Sequence, residues 1–168
     1  MIVSKTPYRI PLSGGGTDVD FYYKKFGSKF ISASINEYVY VFFTERKLDK
    51  NHMIQTSVVE FAKNVKDIKH ALIRETIRYF GLKEKFQIST VSTVPTSTGL
   101  GTSSAMVVGL INCIKKYKNL KISQSEIFKI AYKIERKIVK YAGGWQDQIT
   151  SVFGGLVTVT ISKKEIIK

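Results

Sequence analysis

Pro95-Thr96-Ser97-Thr98-Gly99-Leu100-Gly101-Thr102-Ser103-Ser104-Ala105 separates an alternating apolar segment from a long apolar one. Gly99 and Gly101 permit positive φ and let backbone approach a ligand closely. The surrounding hydroxyls can donate hydrogen bonds. The stretch opens a helix expected from Ser103 to about Tyr117, whose N-terminus offers unpaired N–H groups and a partial positive charge. Such a combination makes an anion site with phosphate as its natural occupant. It is not the Walker loop, because no Gly-Lys-Ser/Thr follows at the required spacing. A polar loop ahead of an ordinary N-cap has the same composition, so glycine spacing alone leaves both readings open.

Working outward, Phe86 to Val94 alternates as a strand and stops at Pro95, where a strand interior cannot continue. Lys29 to Ile35 and Tyr38 to Thr44 read as two strands joined by a tight turn at Asn36-Glu37. Ile54 to Phe61 reads as another strand. From an N-cap at Asn64, the residues Val65, Ile68, Leu72, Ile73, Ile77 and Phe80 recur at helical spacing, with Gly81 as the stop. Downstream, Ser123 and Glu126 form a capping box for a helix with Ile127, Ile130, Ala131, Ile134 and Ile138 on one face. Gly143-Gly144 breaks it. A short helix from Trp145 to about Val152 and a strand from Leu156 to Ile161 follow. The expectation is an α+β fold, with a mixed, mostly antiparallel sheet and helices on one face.

The chain has 168 residues, 43% of them hydrophobic, and carries 27 basic against 13 acidic side chains for a net charge of +14. A domain of this size hides roughly 70% of its unfolded surface. Ten Phe and nine Tyr exclude global disorder. Cys113 is the single cysteine, which excludes an internal disulfide, and with only His52 and His70 beside it a zinc site is not expected. The longest central apolar run, Ala105 to Ile111, is far short of the roughly 20 residues of a spanning helix. Met1 to Lys5 lacks the layout of a signal peptide. A cytoplasmic protein with no membrane partner is expected. The positive charge points to an anionic partner without choosing among nucleic acid, membrane surface and phosphorylated small molecules.

The stretch from Val94 to Ala105 resembles, nearly position for position, the ATP-binding motif of the kinases named for galactose, homoserine, mevalonate and phosphomevalonate (GHMP kinases). Thr102 stands where that family usually has Ser, and a hydroxyl is kept. Pro7-Tyr8-Arg9-Ile10-Pro11-Leu12-Ser13-Gly14-Gly15-Gly16-Thr17-Asp18 resembles the substrate-binding segment of the family's sugar kinases. Gly143-Gly144-Trp145-Gln146-Asp147-Gln148 resembles the segment with the catalytic Asp. The second and third motifs are most similar to those of heptose 7-phosphate kinases and related fucose kinases.

The resemblance implies the ribosomal protein S5 domain 2-like fold of the GHMP kinase N-terminal domain over residues 1–161. Residues 162–168 then begin a linker to an absent C-terminal domain, since family members are usually about twice this length. It also implies ATP and Mg²⁺ as cofactors and transfer to the anomeric hydroxyl of D-glycero-D-manno-heptose 7-phosphate, with L-fucose or another sugar as the alternative. Pro95, Ser97, Thr98, Gly99, Leu100, Gly101, Thr102, Ser103 and Ser104 are the implied ATP contacts. Ser103 and Glu135 are the implied metal ligands, although Arg136 and Lys137 beside Glu135 also suit a solvated charged face. Asp147 and Arg9 are the implied catalytic pair. Arg9, Gly15, Gly16, Thr17, Asp18 and Asp147 are the implied sugar contacts. Trp145 suits either the core or a wall of the sugar site, and Lys5 is a weak candidate for a phosphate. An RNA-binding module of the same fold is the alternative of another class, disfavoured because the lysines are dispersed and no RNA-binding motif appears.

Overall fold

The computed structural model describes residues 1–95, 98–162 and 166–167. Ser97, among the expected ATP contacts, lies outside them. The sheet is organised around one strand. β1 spans Ile2–Ser13, a short helix α1 follows at Asp20–Phe26, and β2 runs for 18 residues from Ser28 to Glu45. The two strands expected on either side of Asn36-Glu37 are therefore one, and there is no turn. The reason is tertiary pairing. Pro7 pairs with Tyr38 and Arg9 with Ser34, so Tyr8 alone faces Ile35, Asn36 and Glu37. The polar pair is absorbed as a bulge, which bends the strand without ending it.

The bend lets β2 serve two half-sheets. Its C-terminal half pairs antiparallel with β5 (Phe86–Ser92), and its N-terminal half with β6 (Leu156–Ile161). β3 (His52–Gln55) pairs parallel with β5 and antiparallel with β4 (Val59–Ala62). The single strand expected over Ile54 to Phe61 is thus a hairpin, closed by Thr56 N–H donating to the Val58 carbonyl. β7 is two residues, Ile166–Ile167, beside β6 and within the segment expected to be a linker. The sheet is mixed and mostly antiparallel, as the sequence implies.

The helical stretch from Asn64 is divided. Asn64 does form a capping box, but over a single 3₁₀ turn, Val65–Asp67. The helix proper, α2, is Ala71–Tyr79, with the His70 ring accepting from Ile73 N–H at its start. Gly81 then takes φ of +61°. α3 (Thr102–Tyr117) packs on β1 and β2. α4 (Gln124–Tyr132) begins at the expected Ser123–Glu126 capping box and continues into a π-helical turn, Lys133–Ile138. α5 (Gln146–Phe153) packs on β1, β2 and β6.

Residues of β6 are alternately exposed and buried, so one face of the sheet there carries the helices. The larger core joins α2, α3 and the C-terminal half of β2 through Val41, Phe43, Ile73, Phe86, Leu110 and Ile111. A smaller one joins Phe30, Phe128, Ile149, Val157, Val159 and Ile161. The two cores follow the two halves of β2.

Gly109 sets how closely α3 lies on the sheet. A Cβ there would meet Val41 Cγ2 at 2.9 Å and Thr6 Oγ1 at 3.0 Å. Gly109→Val is expected to destabilise the fold by about 1–3 kcal/mol through overpacking. A lowered urea midpoint is the readout, and an unchanged midpoint would mean that α3 can lift without cost.

Candidate active site

α3 begins at Gly101, which takes φ of +75°, and no side chain caps it. Its first-turn N–H groups and its dipole are left for another partner. Beside this end lies an open cleft of about 630 Å³, with Tyr8, Val39, Val94 and Met106 as apolar lining and Thr102 and Ser103 as polar lining. A mostly apolar cleft with a few converging polar groups is the usual form of a small-molecule site.

Arg9 ties β1 to the glycine loop and to α5. Its backbone N–H donates to Leu100 O at 3.1 Å, and its Nη1 to Gly99 O at 2.9 Å. Its Nε donates to Asp147 Oδ1 at 2.7 Å, and Nη2 reaches the same oxygen. The structure brings together two residues 138 positions apart and seats both against Gly101, whose added Cβ would lie 3.4–3.5 Å from Asp147 Cγ and Arg9 Cγ. Asp147 also stands in the first turn of α5, where the helix dipole favours a carboxylate.

Glu135 is not on a solvated face. It is fully buried, and Ser104 Oγ donates to its Oε2 at 2.7 Å, as does Gln148 Nε2. Its other oxygen, Oε1, is buried without a partner. Ser103, the hydroxyl expected to share a metal with it, is exposed toward the cleft, and Ser104 is the serine at Glu135. Among the described residues no group of three or more His, Cys, Asp and Glu could hold a metal by itself. An orphaned oxygen on a carboxylate that already holds the Ser104 hydroxyl does fit a hard cation such as Mg²⁺, which takes few protein ligands and completes its shell with water and phosphate.

The sugar segment is largely committed to the protein itself. Asp18 is 4% exposed, and its Oδ2 accepts the Gln146 N–H at 2.8 Å, pairing one of the free amides of α5. Thr17 Oγ1 donates to Gly14 O and lies 2.7 Å from Ser28 Oγ. Gly14, just past the end of β1, leaves no room for a side chain, because a Cβ would lie 2.1 Å from Lys29 O on β2. Gly15 lies near the Gln146 side chain, and Gly16 faces open space. Trp145 stacks on Tyr132 at 3.5 Å and meets Phe128 edge-on, a core role. Lys5 sits over the Tyr38 ring at 3.8 Å.

Two residues escaped the sequence reading. Arg136 reaches Asp147 Oδ2 at 3.5 Å, and Gln148 bridges Glu135 and Ser104. The only signal for either was position: Arg136 follows Glu135, and Gln148 follows Asp147.

Two outcomes follow from these contacts. Asp18→Ala strands a buried N–H of α5 and is expected to cost about 1–3 kcal/mol in a denaturation experiment. Burial pushes the Glu135 carboxyl up, and Asp147 adds to this, against the opposing pull of Arg136, Ser104 and Gln148. A carboxyl whose folded pKa lies above its unfolded value stabilises the fold below the unfolded value and loses that contribution as the pH rises through the folded one. In metal-free buffer, the stability of Glu135→Gln relative to the parent should therefore grow as the pH rises above about 4. A gap in melting temperature that is flat with pH would contradict it.

Residues 60–155 match the model of the GHMP kinases N terminal domain. Over 165 residues the chain is 34% identical to the D-glycero-alpha-D-manno-heptose 7-phosphate kinase of Campylobacter jejuni, covering 92% of this chain and 49% of that protein. Over 111 residues it is 36% identical to the mevalonate kinase of Saccharolobus solfataricus, covering 66% of this chain and 33% of that one. The crystal structure of a D-glycero-D-manno-heptose 1-phosphate kinase from Bacteroides thetaiotaomicron superposes with a TM-score of 0.90 at 30% identity, over 99% of this chain and 58% of that one. The chain thus spans about half the length of the curated relatives it matches. Matched by the family model over more than half of its residues and by the heptose kinase over nearly all of them, the chain belongs to the GHMP kinase family as an N-terminal domain.

Proposed function

We propose that this domain supplies the ATP- and sugar-binding half of an ATP-dependent kinase that phosphorylates the anomeric hydroxyl of D-glycero-D-manno-heptose 7-phosphate. The observation that carries the reading is the Arg9–Asp147 pair set against the glycine loop, at the uncapped end of α3 and beside the cleft. In this reading residues 1–161 form the working domain, and residues 162–168 lead toward the second half that the longer relatives carry. Heptose is favoured over mevalonate because the heptose kinase match extends over 92% of the chain, against 66% for the mevalonate kinase.

Phosphoryl transfer depends on positioning and charge neutralisation more than on covalent help. The amides at the start of α3 and the hydroxyls of Thr102 and Ser103 face the triphosphate, and Tyr8, Val39 and Met106 give the nucleotide an apolar wall. Asp147 accepts the hydrogen bond of the attacking hydroxyl and orients it or takes its proton. Arg9 keeps that carboxylate in place and offsets charge on the transferring group. Mg²⁺, when bound, neutralises phosphate charge, with Glu135 and the Ser103 or Ser104 hydroxyl as the oxygen donors on hand. Asp18 and Thr17 act at one remove, by fixing α5 and the glycine turn.

Calorimetry with Mg²⁺ and a non-hydrolysable ATP analogue is expected to show saturable binding that ADP competes away. With the second half present, ATP consumption is expected with heptose 7-phosphate and not with mevalonate or fucose, whereas this half alone is expected to turn over poorly. Asp147→Asn should lower that turnover by about 10²–10⁴-fold, leaving analogue affinity within a few-fold. Absence of nucleotide binding, or faster turnover with another acceptor, would overturn the assignment.

A further inference from the structure

Arg136 lies on the π-helical turn after α4, and its side chain is 8% exposed. Nη1 donates to Ala142 O at 3.0 Å and Nε to Gly144 O at 3.4 Å. Nη2 is left facing Asp147 Oδ2 at 3.5 Å. That is beyond an ordinary N–H···O bond but within ion-pair range. The Gly143-Gly144 turn is shaped around this guanidinium. Gly143 takes φ of +137°, and a Cβ there would lie 2.7 Å from Arg136 Cζ. A Cβ on Gly144 would lie 2.2 Å from Asp18 Oδ2. The turn that delivers Asp147 is thus pinched between Arg136 on one side and Asp18 on the other.

We propose that Arg136 is a positioning residue that locks the Asp147 side chain from the side opposite Arg9, leaving Oδ2 as the oxygen that meets an acceptor hydroxyl. Arg9 directs two donors at Oδ1 and commits that oxygen. Arg136 holds Oδ2 by charge at a distance that leaves its lone pairs open. Two guanidiniums around one carboxylate also leave one net positive charge next to the glycine loop, of the sign an incoming phosphoryl group needs. The working-oxygen part of this assignment rests on the kinase reading, whereas the locking does not.

The test is spectroscopic. Three-bond N–Cγ and C′–Cγ couplings of Asp147, measured on the isotope-labelled full chain, report its χ1 rotamer without any need for turnover. The parent is expected to give single-rotamer values. Arg136→Met and Arg136→Gln, which remove the charge, are expected to give averaged values with the rest of the amide spectrum still dispersed. Arg136→Lys, which keeps the charge, is expected to restore the single rotamer. If Arg136→Met does not fold, the comparison of Arg136→Gln with Arg136→Lys decides. A single rotamer that persists without the charge, or averaging that Lys does not reverse, overturns the proposal. Failure of ATP consumption leaves these couplings untouched, so the two readings fail separately.

Discussion

The ion pair of Arg9 with Asp147 is the constraint on which the site depends. It joins the second half of β1 to the first turn of α5, and the same guanidinium holds the glycine loop through the Gly99 carbonyl. Three segments with no sequence proximity are fixed by one side chain. Arg suits the task because its fork is planar, permanently charged and able to direct donors at a carboxylate and a carbonyl at once. The pair is mostly shielded from water, with the Arg9 side chain 10% and the Asp147 side chain 23% exposed. A shielded charge is costly once its partner is gone, so the site is held together by what each charge would lose alone.

Around this pair the structure allots its polar groups in two tiers. Asp18, Thr17 and Gln148 satisfy other protein groups and set the positions of α5, the glycine turn and Glu135. The start of α3, the exposed Ser103 and two buried oxygens, Glu135 Oε1 and Gln148 Oε1, keep unused capacity. Buried polar groups in a folded protein are nearly always paired, so groups left unpaired in one place suggest a ligand. The division also separates residues whose loss weakens the fold from those whose loss weakens only the chemistry.

Much of this was legible because it is local. The glycine loop, the Ser123–Glu126 capping box and the strand after Gly154-Gly155 are short-range patterns, and each appears where its residues placed it. What was illegible is tertiary. Asn36-Glu37 has turn chemistry, yet pairing along the whole of β1 carries the strand through it as a bulge. The run Glu135-Arg136-Lys137 looks like a charged surface. The π turn instead buries the first completely and most of the second, while only Lys137 stays in water. Such turns are frequent at functional sites, and no simple period announces them. The type of Asp18 and its place in the motif suit a ligand group. Its use as a partner for the Gln146 N–H depends on a helix 128 residues away.

The double duty of β2 governs the order in which the chain can assemble. Its N-terminal half pairs on one edge, through Ile31 to Ser34, with β1, which is already synthesised, and on the other, through Ser28 to Ala33, with Leu156 to Ile161. On the ribosome that second edge stays open while more than a hundred residues are made. An open, partly apolar strand edge is a template for pairing with other chains. The smaller core cannot close until β6 arrives, and Asp147 reaches Arg9 only in that same late step. During synthesis, the interval before the site forms is therefore also the interval in which the nascent chain is most open to aggregation.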